Sequence, residues 1–296
     1  MAGKLISVAN MKGGVGKTTT VVSLAEALAA DNPAASILVV DLDPQASASV
    51  CLAGDDILAK MIRDGNTIDG FLEDRLVTQD KSKSLKIRGS VSSTCHAGNP
   101  LKISLVPCGP QLRIVERNIV YLLTARNLAM AAIEQKIWKL FETEILPLSN
   151  LYDYIIFDCP PGISTISEVA IRASDLVLVP TIPDFISVYG LRAFYQILWQ
   201  TRTAGLPLPK LLPQVLITRF QRNLKQHKEY VERLEASAKL KDPMICVLET
   251  KVQQAAALAE ALSKGDEIPT FNRKYKGVTS MLDQLVQELK GVLHGN

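Results

Sequence analysis

Residues 4–10, KLISVAN, form an apolar strand pattern that runs straight into the glycine-rich turn KGGVGKTT (12–19). The chain leaves that turn as TTTVVSLAEALAA (18–30), with apolar residues at helical spacing. Strand, glycine turn and helix in immediate succession build an anion site, because backbone N–H groups and the helix N-terminus converge on the turn. Gly13, Gly14 and Gly16 supply torsional freedom and leave no Cβ between backbone and phosphate oxygen. With Val15 between them, they lead to Lys17, placed for the β- and γ-phosphates, and to Thr18, whose hydroxyl suits Mg²⁺. Thr19, next along the helix, is placed for an α-phosphate oxygen. A glycine turn with no ligand is the plain alternative, and the flanking strand and helix weigh against it.

The rest of the chain repeats the alternation. Strand patterns fall at 37–43, 102–107, 152–158, 175–181, 211–218 and 244–249. Helical patterns fall near 127–146, 185–204, 222–239, 251–263 and 278–293. Buried apolar strands separated by helices predict an α/β fold: a mostly parallel twisted sheet with helices on both faces, in three layers. Residues 78–100, TQDKSKSLKIRGSVSSTCHAGNP, break the rhythm and read as an irregular, mobile insertion. With no repeat and no clear linker, one domain over 1–296 is expected.

Composition narrows the classes. Aromatics are 5% of residues, which argues against a base-stacking groove for single strands. A net charge of +3 confines any nucleic-acid surface to a local patch. The five cysteines form no CxxC pair, as expected in a reducing cytoplasm. The sequence carries neither a signal-peptide pattern nor a stretch of the roughly 20 apolar residues a spanning helix needs.

The loop departs from the common G-x-x-x-x-G-K-[ST] spacing: Met11 stands where the first glycine would fall, and Lys12 follows it. In this variant form the sequence resembles the ParA/MinD family of deviant Walker-type ATPases, whose hallmark is that second lysine. The resemblance implies ATP and Mg²⁺ as ligands, and a homodimer in which Lys12 reaches the phosphates of the partner's nucleotide. VVDLDPQASAS (39–49) matches the family's second motif. Asp41 sits where the family places the residue that positions the attacking water or attends the metal, and Asp43 shares that role or orients the metal shell. YIIFDCPPG (154–162) looks like the third motif: Asp158 would hold Mg²⁺ through water, and the stiff turn through Pro161 and Gly162 would sense the γ-phosphate. Thr218 and Arg219 fall where the family contacts adenine, with a strand-end role as the alternative. Lys12, Lys17, Asp41 and Asp43 are therefore the expected catalytic set.

Three uses of such an ATPase compete. Partition in the manner of ParA implies non-specific duplex DNA binding by the ATP dimer, nucleoid association in the cytoplasm, and a cargo-side, ParB-like activator. Arg222, Lys225 and Lys228, with Lys251, Arg273, Lys274 and Lys276, are the candidate DNA contacts, against a solvated-surface reading of each alone. Membrane association in the manner of MinD requires a cationic amphipathic terminal helix. Residues 281–296 carry Asp283 and Glu288 instead, so no membrane is expected. A cluster-carrying reductase would need ligand cysteines, and Cys95 and Cys108 sit in no such motif. A binding protein with a dead site would be expected to have lost one of Lys12, Lys17, Thr18, Asp41 or Asp158. The sequence resembles the short partition ATPases without an N-terminal helix-turn-helix.

Overall fold

The computed structural model describes residues 2–295 apart from 93, 201–204, 255–257, 259–261 and 263–268. Seven strands make one sheet: β1 (Lys4–Asn10), β2 (Ile37–Asp41), β3 (Ile103–Val106), β4 (Tyr154–Pro161), β5 (Leu176–Thr181), β6 (Gln214–Phe220) and β7 (Cys246–Gln253). Their spatial order is β3-β2-β4-β1-β5-β6-β7, and every adjacent pair is parallel. Parallel strands need crossover connections, which place helices on both faces and bury the strands throughout. That is why β1, β2 and β5 read as continuous apolar runs.

Side-chain alternation divides the core in two. Leu5, Leu38, Val40, Ile155, Phe157 and Val177 point to one face, packed by α5 (Leu112–Ala125), α6 (Met130–Leu140) and α7 (Thr165–Ala173). Ile6, Val8, Ile37, Val39 and Ile156 point to the other, against α1 (Lys17–Asp31), α2 (Ser47–Ala53) and the terminal helix α11 (Thr279–His294). Residues Leu282, Leu285, Val286, Leu289 and Leu293 of α11 are all buried, so its apolar stripe belongs to this core. No helix among the described residues is long and apolar enough to cross a membrane.

Helices α2, α3 (Asp55–Arg63), α4 (Ile68–Leu72), α5, α7 and the short α10 (Phe271–Lys274) have no counterpart in the sequence expectations. The expected helix at 251–263 is corrected at its start: residues 251–253 extend β7, and most of the remainder lies outside the described residues. The segment 78–100 holds a two-residue antiparallel pairing of Cys95–His96 with Asn99–Pro100, and it is tied down. Arg88 and Leu105 exchange backbone bonds at 2.8 Å, and the Val91 N–H donates to the Ile103 carbonyl at 2.9 Å. The segment is thus a strap over the otherwise open edge of β3, where unpaired backbone groups would invite association.

Candidate functional site

The loop lies between β1 and α1, and hydrogen bonds fix it from below. Asn10, buried, donates from Nδ2 to the Pro180 carbonyl (2.7 Å) and accepts the Lys12 N–H at Oδ1 (2.9 Å). Gly14 and Gly16 have φ of 73° and 91°, in the left-handed region that penalises a Cβ. Thr218 Oγ1 donates to the Val15 carbonyl at 2.8 Å from a buried position. Thr218 therefore acts as a tie under the loop, with its hydroxyl already engaged. Arg219, exposed and at φ 50°, lines a cavity of about 720 Å³ together with Gly16 and Thr19. A nucleoside extending from the loop has room there.

Lys17 is 7% exposed, and its Nζ donates to the Lys12 carbonyl at 3.0 Å. Burial lowers its pKa against the opposing pull of Asp158 and Asp43. Thr18 Oγ1 donates to Asp158 Oδ2 at 2.9 Å. Asp158 is fully buried, and its Oδ1 has no hydrogen-bond partner. An orphaned buried carboxylate oxygen is costly. Burial, and then the neighbouring Asp41 carboxylate, raise the Asp158 pKa well above the ordinary range. A cation beside Thr18 would relieve both costs, so the donor set fits Mg²⁺ held partly through water and phosphate. Among the described residues no three His, Cys, Asp or Glu side chains converge as a metal group.

Asp41 pairs in register with Asp158 across β2 and β4. Its Oδ2 accepts from Ser49 N (2.9 Å) and Ser49 Oγ (2.6 Å), and its Oδ1 accepts from Asp43 N (3.0 Å). Both oxygens are thus engaged inside the protein, and burial lifts its pKa to about 6. Asp43, 9% exposed, uses Oδ1 to accept from Gln45 N at 3.0 Å and leaves Oδ2 to other ligands. Ser49, which no sequence signal singled out, is the anchor that fixes Asp41. Gly162 turns the chain at φ 86°, next to Pro161 at the end of β4.

Lys12 projects away from its own loop. Its Nζ donates to Asp184 Oδ2 (3.0 Å) and Ser187 Oγ (3.1 Å) in the first turn of α8 (Phe185–Tyr195). Burial disfavours the Asp184 carboxylate, yet bonds from Ser187 and Lys12 leave its pKa below the usual value. Beside this pair, Phe185, Ile186 and Tyr189 are 63%, 67% and 73% exposed, with the two rings stacked. Asp184 caps α8 by accepting the Ser187 N–H at 2.8 Å. The sequence signal for this station was the cap pattern D-x-x-S, which marks a helix start without naming its second partner.

The candidate DNA contacts divide. Lys225 (side chain 91% exposed) and Lys228 face solvent on α9 (Lys225–Ala238), and Arg273 and Lys276 are exposed near α10 (Phe271–Lys274). Arg222 is exposed but lies against the Gln253 side-chain amide, whose oxygen accepts from its Nε (3.2 Å) and Nη2 (3.0 Å) when the amide is turned to match donor with acceptor. Lys251 is paired with Glu235 at 2.8 Å. Lys274 corrects the expectation: only 10% exposed, its Nζ bonds buried Glu26 at 2.9 Å and Thr94 Oγ1 at 3.2 Å. Tyr275 Oη, Thr94 Oγ1 and Ser92 Oγ also donate to Glu26. Lys274 therefore holds the strap to α1 and α10. Lys274→Ala should destabilise the fold by about 3 kcal/mol, the cost of stranding a buried charge, and leave DNA affinity unchanged. Loss of DNA affinity with unchanged stability would return Lys274 to the surface role.

Comparison with known proteins agrees with this geometry. A family model described as an AAA domain matches residues 3–205. The chromosome partitioning protein ParA of Myxococcus xanthus is 28% identical over 285 residues, covering 95% of this chain and 86% of that protein. The fold is shared with a plasmid partition protein of Borrelia burgdorferi B31 bound to AMPPNP (TM-score 0.65, 19% identity, 98% of this chain and 99% of the other). It is shared equally with pNOB8 ParA bound to nonspecific DNA (TM-score 0.65, 19% identity, 99% of each chain). With the family model spanning residues 3–205 of a 296-residue protein and both signature lysines in place, the chain belongs to the AAA-domain family of P-loop ATPases, in its ParA/MinD branch.

Proposed function

We propose that this protein is a ParA-like ATPase that dimerises on ATP, binds duplex DNA non-specifically in that form, and so partitions or positions a cargo. The observation that carries the reading is Lys12: a second loop lysine whose Nζ leaves its own loop for Asp184 and Ser187, beside an exposed apolar turn. An apolar patch of three large side chains next to a nucleotide loop suits a surface that a second subunit covers. To reach that subunit's phosphates, Lys12 leaves Asp184 and Ser187, so dimerisation and nucleotide contact become one event.

Within each subunit the loop amides and Lys17 bind the triphosphate of ATP. Thr18 and Asp158 are placed to hold Mg²⁺, whose charge would offset that developing on the phosphates. We assign the water-orienting role to Asp43, since Asp41 has committed both oxygens to Ser49 and Asp43. Turnover by such a site is slow without help, because positioning rather than covalent chemistry limits it. A cargo-side activating protein is the expected stimulus, and relatives named for chromosome and plasmid partition support that assignment. The MinD-like alternative is weakened by α11, whose apolar stripe is buried in the chain.

The test is binding to random-sequence duplex DNA with ATP, ADP and no nucleotide across a salt series. ATP-dependent retention that falls steeply with salt is expected. Equal binding in all three conditions, or none, would reject the DNA-partition reading. Vesicle sedimentation would then test the membrane alternative.

A further inference from the structure

The predicted DNA patch near β7 loses Lys274 to Glu26 and Lys251 to Glu235, yet a second basic region lies at the opposite edge of the sheet. There the strap crosses the end of α3 (Asp55–Arg63), and two adjoining cavities of about 380 and 360 Å³ share Asp64, Asn66 and Lys86. Lys60, Arg63, Lys83, Lys86 and Arg88 line them against only Asp64 and Asp74. That local excess of three positive charges equals the net charge of the whole chain, +3. All five cations are exposed, and none is in an ion pair among the described residues.

We propose that this strap–α3 surface is a second contact for the phosphate backbone of duplex DNA, separate from the α9/α10 region. The proposal rests on the DNA-binding reading above and gives the insertion at 78–100 a role. Chemistry selects the duplex backbone as partner. The strap interleaves its cations with Ser84, Gly89 and Ser90, which add hydroxyl and backbone donors of the kind that contact phosphate, while Ser82 donates to Asp80. The one aromatic side chain lining either cavity, Phe71, is 3% exposed, so no ring is presented for stacking unpaired bases. The Arg88–Leu105 bridge fixes the strap's far end to the sheet, which holds the cations in place rather than on a free tail.

The test compares wild type with Lys83→Gln/Lys86→Gln/Arg88→Gln, measuring ATP-dependent duplex affinity from 50 to 300 mM salt. Each phosphate contact contributes about 0.9 to the log–log salt slope, so the triple variant, which removes three, should flatten it by about 2.7 and bind about tenfold or more weakly at low salt. ATP-dependent dimerisation and basal hydrolysis should stay at wild-type levels. Lys83→Arg/Lys86→Arg should retain the wild-type slope, because charge and not shape carries the contact. An unchanged slope in the triple variant, with wild type binding DNA, overturns this surface and leaves the partition reading intact. Failure of wild type to bind duplex in any nucleotide state overturns both. Intact DNA binding with lost stimulation by an activating protein would assign the patch to an acidic protein partner and overturn the duplex assignment.

Discussion

Lys12→Ala is expected to abolish ATP-dependent dimerisation in size-exclusion or light-scattering experiments and to lower hydrolysis by about 10²–10³-fold, the scale for losing one preorganised charge at a phosphoryl-transfer site. ATP binding by each subunit should persist, because the loop amides, Lys17 and Thr18 are untouched. The separation of the two readouts is the point of the experiment. A lysine that only decorated the surface would change neither. A lysine that belonged to its own subunit's phosphate cradle would lower ATP affinity as well. Asp184→Asn supplies the opposing control. Asparagine still caps α8, but the charge that competes for Lys12 is gone. The Lys12–Asp184 pair is about one-third exposed on each side, so its strength is below about 1 kcal/mol. Dimerisation should therefore become easier by no more than about fivefold in ATP or protein concentration. A dimer in Lys12→Ala indistinguishable from wild type would remove the cross-subunit role.

How much of this was legible in the sequence follows from distance along the chain. β1, the loop and α1 are contiguous, so one stretch of 28 residues shows strand, turn and helix together. β2, β4 and β5 are buried on both faces and read as unbroken apolar runs. The edge strand β7 is different: its burial is intermittent, and the polar stretch Thr250–Gln253 pairs only with β6, so its last residues resembled a helix start. Helix α7 is nine residues long, too short for a periodic pattern to stand out. The site separates in the same way. Lys17, Thr18 and Asp158 were identified by motif; Thr18 bonds Asp158, while Lys17 bonds the Lys12 carbonyl. Asp184 is 172 residues from Lys12, and Glu26 is 248 from Lys274, so neither partner could be read from local spacing. A lysine in a basic run looks available for DNA until the fold places a buried carboxylate against it.

The two aspartates of the second motif give the sharpest test of the site. Asp43→Ala is expected to leave ATP binding and dimerisation intact while hydrolysis falls by about 10²–10⁴-fold, the range for a lost water-orienting or proton-accepting group. Such a protein should remain on DNA with ATP, because the reset step is missing. Asp41→Ala should behave otherwise. It strips the acceptor from Ser49 Oγ, Ser49 N and Asp43 N, three buried or part-buried donors, and should destabilise the fold by about 2–3 kcal/mol. Asp41→Asn separates charge from shape. Burial raises the wild-type Asp41 carboxyl to about 6, so its contribution favours the folded chain fully below the ordinary carboxylate value of 3.8. That contribution is lost as pH rises through 6. Between pH 5 and 7 the Tm of wild type without nucleotide should therefore fall by more than that of Asp41→Asn. If Asp41→Ala were instead stable and locked on DNA with ATP, while Asp43→Ala hydrolysed normally, the roles of the two carboxylates would have to be exchanged. Water would then have to use the second lone pair of Oδ1 or displace Ser49, because Oδ2 already accepts two bonds and Oδ1 one. The buried bonds from Ser49 to Asp41, the hydroxyl one at 2.6 Å, make displacement expensive, and Asp43 needs none.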